Sequence, residues 1–128
     1  MRYGSLAIAA LAGLALLTPA LAAGSITTSY GTWARGDGDT KVRIAPCGAA
    51  ICATNIWIRD PASSEKVGDV LEMKLSGEGS IFKGTAYDKQ RNLTLTFEMD
   101  ITKNSLTTKG CVLGGIICKS AVWSRLSA

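Results

Sequence analysis

Residues 93–101 read LTLTFEMDI. Leu93, Leu95, Phe97, Met99 and Ile101 take alternate positions, and Thr94, Thr96, Glu98 and Asp100 fall between them. Successive side chains of a strand point to opposite faces, so this stretch predicts a β-strand with one apolar and one wet side. The same alternation recurs around it. TKVRI (40–44) sets Val42 and Ile44 against Lys41 and Arg43, and DVLEMKL (69–75) sets Leu71, Met73 and Leu75 against Glu72 and Lys74. CATNIWIR (52–59) reads with Ile56 and Ile58 opposite Asn55, Trp57 and Arg59.

Turn chemistry separates these runs. RGDGDT (35–40) carries the hairpin dipeptide Asp37-Gly38, and Pro61 opens the longest connection, RDPASSEKVGD (59–69). SGEGS (76–80), DKQRN (88–92), TKNS (102–105) and LGG (113–115) mark further reversals. Eight strands follow, near 30–35, 40–46, 51–59, 68–76, 80–88, 93–101, 105–111 and 117–125. Short antiparallel strands joined by hairpins favour closure, because a closed sheet has no unpaired edge. The fold class is therefore all-β: an eight-stranded antiparallel up-and-down barrel. Gly84 in mid-strand suits a bulge or bend of the wall. A β-sandwich is the alternative, since Cys47, Trp57 and Cys111 come in immunoglobulin order. That pattern wants Tyr two residues before its second Cys, where Lys109 stands.

The first 22 residues are read apart from the fold. Arg2, an apolar run from Leu6 to Leu17, Pro19 and the small-residue pattern Ala20-Leu21-Ala22 make a secretory signal peptide with cleavage after Ala22. Twelve apolar residues are too few to span a bilayer core, which needs about 20. Residues 23–128 then form a single barrel domain, exported to the periplasm or secreted, with no transmembrane segment after cleavage. Of the fourteen Lys and Arg, Arg2 leaves with the signal; thirteen remain against ten carboxylates, a charge of +3. Those charges are interspersed, so no nucleic-acid groove is expected.

Histidine is absent, which removes Ser-His-Asp and Cys-His catalysis. No pair of carboxylates is brought together by spacing, so no enzyme activity, catalytic residue or cofactor is expected. In an oxidising compartment the four cysteines are expected as two disulfides. Cys47–Cys52 and Cys111–Cys118 each bracket a reversal between strands, where facing positions lie close enough for a bridge. A zinc site of four thiolates uses tighter spacing within each pair, and a redox pair needs Cys-x-x-Cys, so no metal is expected. Asp37 and Asp39 lack the spacing of a calcium loop and read as a plain turn.

GTW (31–33), CGAAICATNIW (47–57), FKGTAYD (82–88) and LTTKGCVLGGIICKSAVWSR (106–125) occur in that order. Together they resemble the bacterial domain of unknown function 2147 family, departing from its pattern at Ala53, Phe82 and Lys89. The resemblance implies an exported, lipocalin-like barrel without an established activity. Gly31-Thr32-Trp33 is similar to the G-x-W of lipocalins, and Arg125 to the Arg that packs on that Trp. These residues would close the barrel, with a guanidinium over the indole face adding about 0.5 to 2 kcal/mol.

A barrel of eight strands either fills with side chains or holds one small ligand. The inward set expected is Val42, Ile44, Ile56, Ile58, Leu71, Met73, Leu95, Phe97 and Met99, which suits a small apolar molecule. Trp57 and Tyr87 are candidates for a contact surface. An envelope protein partner is the second expectation, for example a protease that the segment GSITTS (24–29) would enter as an inhibitor.

Overall fold

A computed structural model describes residues 25–128; the signal-peptide reading and its cleavage point lie outside the described residues. A 3-10 turn at Ile26–Ser29 precedes eight strands: β1 (Gly31–Arg35), β2 (Thr40–Cys47), β3 (Ala50–Ile58), β4 (Val70–Glu78), β5 (Ile81–Asp88), β6 (Leu93–Ile101), β7 (Ser105–Val112) and β8 (Ile117–Ser127). Each strand pairs antiparallel with the next, and β1 pairs with β8, so the sheet closes into a barrel in chain order. The two stacked sheets of a sandwich are absent among the described residues. The expected strands lie within three residues of the observed ones at every end, since Gly, Pro and Asp-rich turns leave little room for the boundaries to move.

Alternating hairpins give the barrel two unlike ends. One end collects the β2–β3, β4–β5 and β6–β7 turns with the 3-10 turn, and it is closed. Trp33 on β1 is fully buried there and faces Arg125 on β8. The Arg125 guanidinium lies 4.3 Å from the indole centroid. It donates from Nη1 to the Tyr30 carbonyl at 2.8 Å, from Nε to the Lys103 carbonyl at 2.6 Å, and from Nη2 to the Thr28 carbonyl. The indole Nε1 donates to the Ser29 carbonyl at 2.9 Å. One Trp and one Arg thus join the 3-10 turn, the first strand, the last strand and the β6–β7 turn. Gly31 has φ +130°, and a Cβ there would sit 2.4 Å from the Ser127 carbonyl oxygen. Only glycine lets β1 and β8 approach at this seam.

Ile44, Met73, Phe82, Met99, Ile101 and Leu106 pack around Trp33 as the barrel floor. The wall departs from simple alternation at one place. Lys41 pairs with Trp57 but Val42 pairs with Asn55, so Ile56 is an extra residue on β3. This β-bulge turns the upper half of β3 by one position. Asn55, below the bulge and in phase with Ile51 and Ala53, takes the inner face, and Ile56 lies outside at 45 % exposure, which corrects the inward assignment of Ile56. No such irregularity occurs at Gly84, whose register with β4 and β6 is continuous. Gly84 instead permits close approach: a Cβ would stand 2.0 Å from the Lys74 carbonyl oxygen.

Both disulfides form locally. Cys47–Cys52 spans a Cα separation of 5.7 Å at the closed end, and Cys111–Cys118 spans 4.1 Å at the other end. Cys111 and Cys118 face each other directly. Cys47 faces Ala50 and Cys52 faces Ala45, so the first bridge is a diagonal rather than the facing pair expected. The short two-residue reversal at 48–49 causes the offset.

Candidate functional site

Above the floor the barrel is hollow. A cup of about 790 Å³ opens at the end formed by the β1–β2, β3–β4, β5–β6 and β7–β8 connections. Its volume lies in the range of small-molecule sites, roughly 300 to 1,000 Å³. Val42, Ile44, Leu71, Met73, Leu95, Phe97 and Met99 line it, as the alternation predicts for their strands. Ile56 and Ile58 do not. Ile56 belongs to a shallow outer groove beside Cys47 and Cys52, and Ile58 sits opposite Thr40 beyond the bulge.

Sequence reasoning missed the other half of the lining. β8 shows no clean alternation, yet its pairing with β7 sets Ile117, Lys119, Ala121 and Trp123 on the inner face, opposite Val112, Gly110, Thr108 and Leu106. Gly110 lets the Leu95 and Phe97 side chains pack over the β7 backbone, where a Cβ would stand 3.4 Å from each. The Trp123 indole donates from Nε1 to Thr108 Oγ1 at 3.0 Å, so the two polar groups inside the wall satisfy one another.

The rim is built from paired charges. Arg35, at the mouth end of β1, makes a two-toothed contact with Glu65 on the β3–β4 loop: Nη1 to Oε1 and Nη2 to Oε2, both 2.9 Å. Its Nε reaches Asp37 Oδ2 at 2.8 Å, and its guanidinium lies 5.8 Å from the Trp123 ring centroid. The hydrogen bond from Arg35 holds the Glu65 carboxyl below its ordinary value, against the opposing effect of burial, with Lys119 adding a smaller pull in the same direction. The same pairing raises the Arg35 guanidinium further. Arg91 on the β5–β6 turn donates from Nη1 to Asp88 at 3.0 Å and from Nη2 to the Ser64 carbonyl at 3.0 Å. Gln90 Oε1 accepts from the Val70 backbone at 2.9 Å. The long 59–69 connection is thereby strapped across the mouth by β1 on one side and the β5–β6 turn on the other. Asn55, on the inner face just below the bulge, donates from Nδ2 to the Lys66 carbonyl at 3.2 Å and fastens the strap at a third point.

Of the two candidate contact residues, Trp57 is on the outer wall at 38 % exposure, with Lys41 Nζ 4.7 Å from its ring centroid. Tyr87 is half-buried on the outer face of β5, and its hydroxyl donates to Asn92 Oδ1 at 2.8 Å. Asn92 has φ 50°, so Tyr87 steadies a left-handed turn residue. The two side chains do not share a surface with the cup. Among the described residues no group of three metal-ligating side chains converges; Asp37 accepts from the Asp39 backbone at 2.9 Å, forming a turn.

The family described as "Uncharacterized protein conserved in bacteria (DUF2147)" matches residues 31–125, nearly all of the barrel. The chain belongs to this family. The match begins at the glycine of the β1–β8 seam and ends at the arginine over Trp33, so the DUF2147 match is bounded by the residues that close the ring. No curated protein and no solved structure matches the chain. The cup of this DUF2147 barrel is thus read from its own geometry.

Proposed function

We propose that this DUF2147 protein is an exported, lipocalin-like binding protein, not an enzyme, and that it holds a small, largely aliphatic molecule in its cup. The observation that carries the reading is the open, apolar interior above a sealed floor: the lower wall is Val42, Ile44, Met73, Phe97 and Met99, and among the described residues no side chain fills the space they enclose. Two methionines in that wall give a flexible, polarisable lining that adapts to unbranched chains. Export is supported by the leader-like first 22 residues and by two local disulfides, which persist in oxidising compartments.

A role as an inhibitor that inserts its chain start into a partner has less support. Ser29 is buried, and residues 28–30 are fastened to Arg125 and Trp33 through their carbonyls, so this segment is committed to the barrel floor.

Native mass spectrometry of protein purified from its own host is the test. A retained species of small mass, lost on organic extraction, is expected; protein that is always empty and that binds no neutral aliphatic probe rules the reading out.

A further inference from the structure

The charged groups that line the cup are Arg35, Asp37, Glu65, Asp69, Asp88, Arg91 and Lys119. Six of the seven are used up in ion pairs with one another: Arg35 with Asp37 and Glu65, and Arg91 with Asp69 and Asp88. Among the described residues, no carboxylate lies within 4 Å of the seventh, the Lys119 ammonium. Its place is set by the ladder. Lys119 faces Gly110, and Gly110 is in van der Waals range of Leu95 and Phe97 on the inner wall. Lys119 therefore stands on the inner face of β8 between the rim-level Ile117 and the mid-cup Ala121. A long flexible stem ending in an unpaired charge sits where an apolar pocket meets water.

We propose that Lys119 anchors the head of the ligand, and that the ligand is an aliphatic chain ending in an anionic group, a carboxylate or a phosphate ester. This rests on the binding reading above and deepens it. The pairs set four carboxylates against two guanidiniums, so the rim itself repels an anion, and the one place that can hold an anionic head is the cation left over. The chain then runs down past Phe97 toward Met73 and Met99.

The test compares decanoate, decyl phosphate, 1-decanol and decyltrimethylammonium, each displacing the uncharged fluorophore N-phenyl-1-naphthylamine from the full protein. The wild type is expected to hold decanoate or decyl phosphate about fivefold more tightly than decanol, the size an exposed ion pair supplies, and the preference shrinks as salt is raised. Which of the two anions binds better decides between a carboxylate and a phosphate head. Lys119→Met is expected to bring the better anion within about twofold of decanol, and Lys119→Glu to turn the preference toward decyltrimethylammonium. Equal binding of decanol and both anions by the wild type overturns the anchor and leaves the cup reading standing. An anion preference that survives in both Lys119 variants also overturns it. Binding of none of the four, with no fluorophore taken up, overturns both.

Discussion

Arg125 shows how much of this fold hangs on one side chain. Its guanidinium lies on the Trp33 indole and donates to the carbonyls of Thr28 and Tyr30 in the first turn and of Lys103 between β6 and β7, two segments far apart in the chain. A lysine would keep the charge, but its compact ammonium cannot fan out to three acceptors while stacking on a ring. Arg125→Lys is therefore expected to behave as a damaging change. A lost hydrogen bond to a charged group costs about 1.5 to 3 kcal/mol, and carbonyls left unpaired at the floor add to it, so a loss of at least about 2 kcal/mol should appear in urea unfolding. The midpoint should fall with little change of slope. A midpoint within error of the wild type would mean that the floor is held by packing of Trp33 alone.

Among the elements, the 59–69 connection is held by a contact that depends on pH. Glu65 is held below its ordinary value of 4.5 by its hydrogen bond from Arg35, despite burial. A carboxyl lowered on folding contributes stability that is complete above the unfolded value and is lost as pH falls through the folded one. The strap should thus stay fastened above about pH 4.5 and loosen below it, by up to about 1 kcal/mol for a pair this accessible. Hydrogen exchange at residues 63–69 between pH 6 and pH 3, corrected for intrinsic rates, should speed up below pH 4.5 in the wild type. Glu65→Gln should lack that step and exchange faster throughout. The same element shows where the sequence stops being legible. The strand ends could be read because each is cut by a turn residue, and β6 and β4 could be faced because their alternation is unbroken. β3 could not, since CATNIWIR alternates as well in either register and the bulge at Ile56 appears only when β3 is paired with β2. Lys119 was hidden for a related reason. IICKSAVW offers no period, so its inner face is defined only by its neighbour β7.

At the scale of the whole molecule, closure and hollowness are linked. Trp33, Ile44, Phe82, Ile101 and Leu106 fill one end of the ring, and among the described residues the other end has no comparable side chains to fill it. A molecule seated in the cup would supply the missing contacts to the native state alone, so it must raise stability by mass action. At about 100 times its dissociation constant the gain is about 2.7 kcal/mol, which for a domain near 100 residues is a melting shift on the order of 10 °C. 1-Decanol, which needs no charged partner, is the probe of this coupling. Ala121, inward on β8 opposite Thr108, can be enlarged to fill the space that probe would use. Ala121→Phe is expected to reduce the decanol-dependent shift to under about 2 °C, while Ser124→Phe, exposed on the outer face of the same strand and not part of the cup lining, should keep most of it. The pair separates a ligand inside the ring from one on its wall, because both variants add the same ring on opposite faces of one strand. A full shift in Ala121→Phe would place the decanol outside the barrel, and the hollow would then have to be explained by something other than binding.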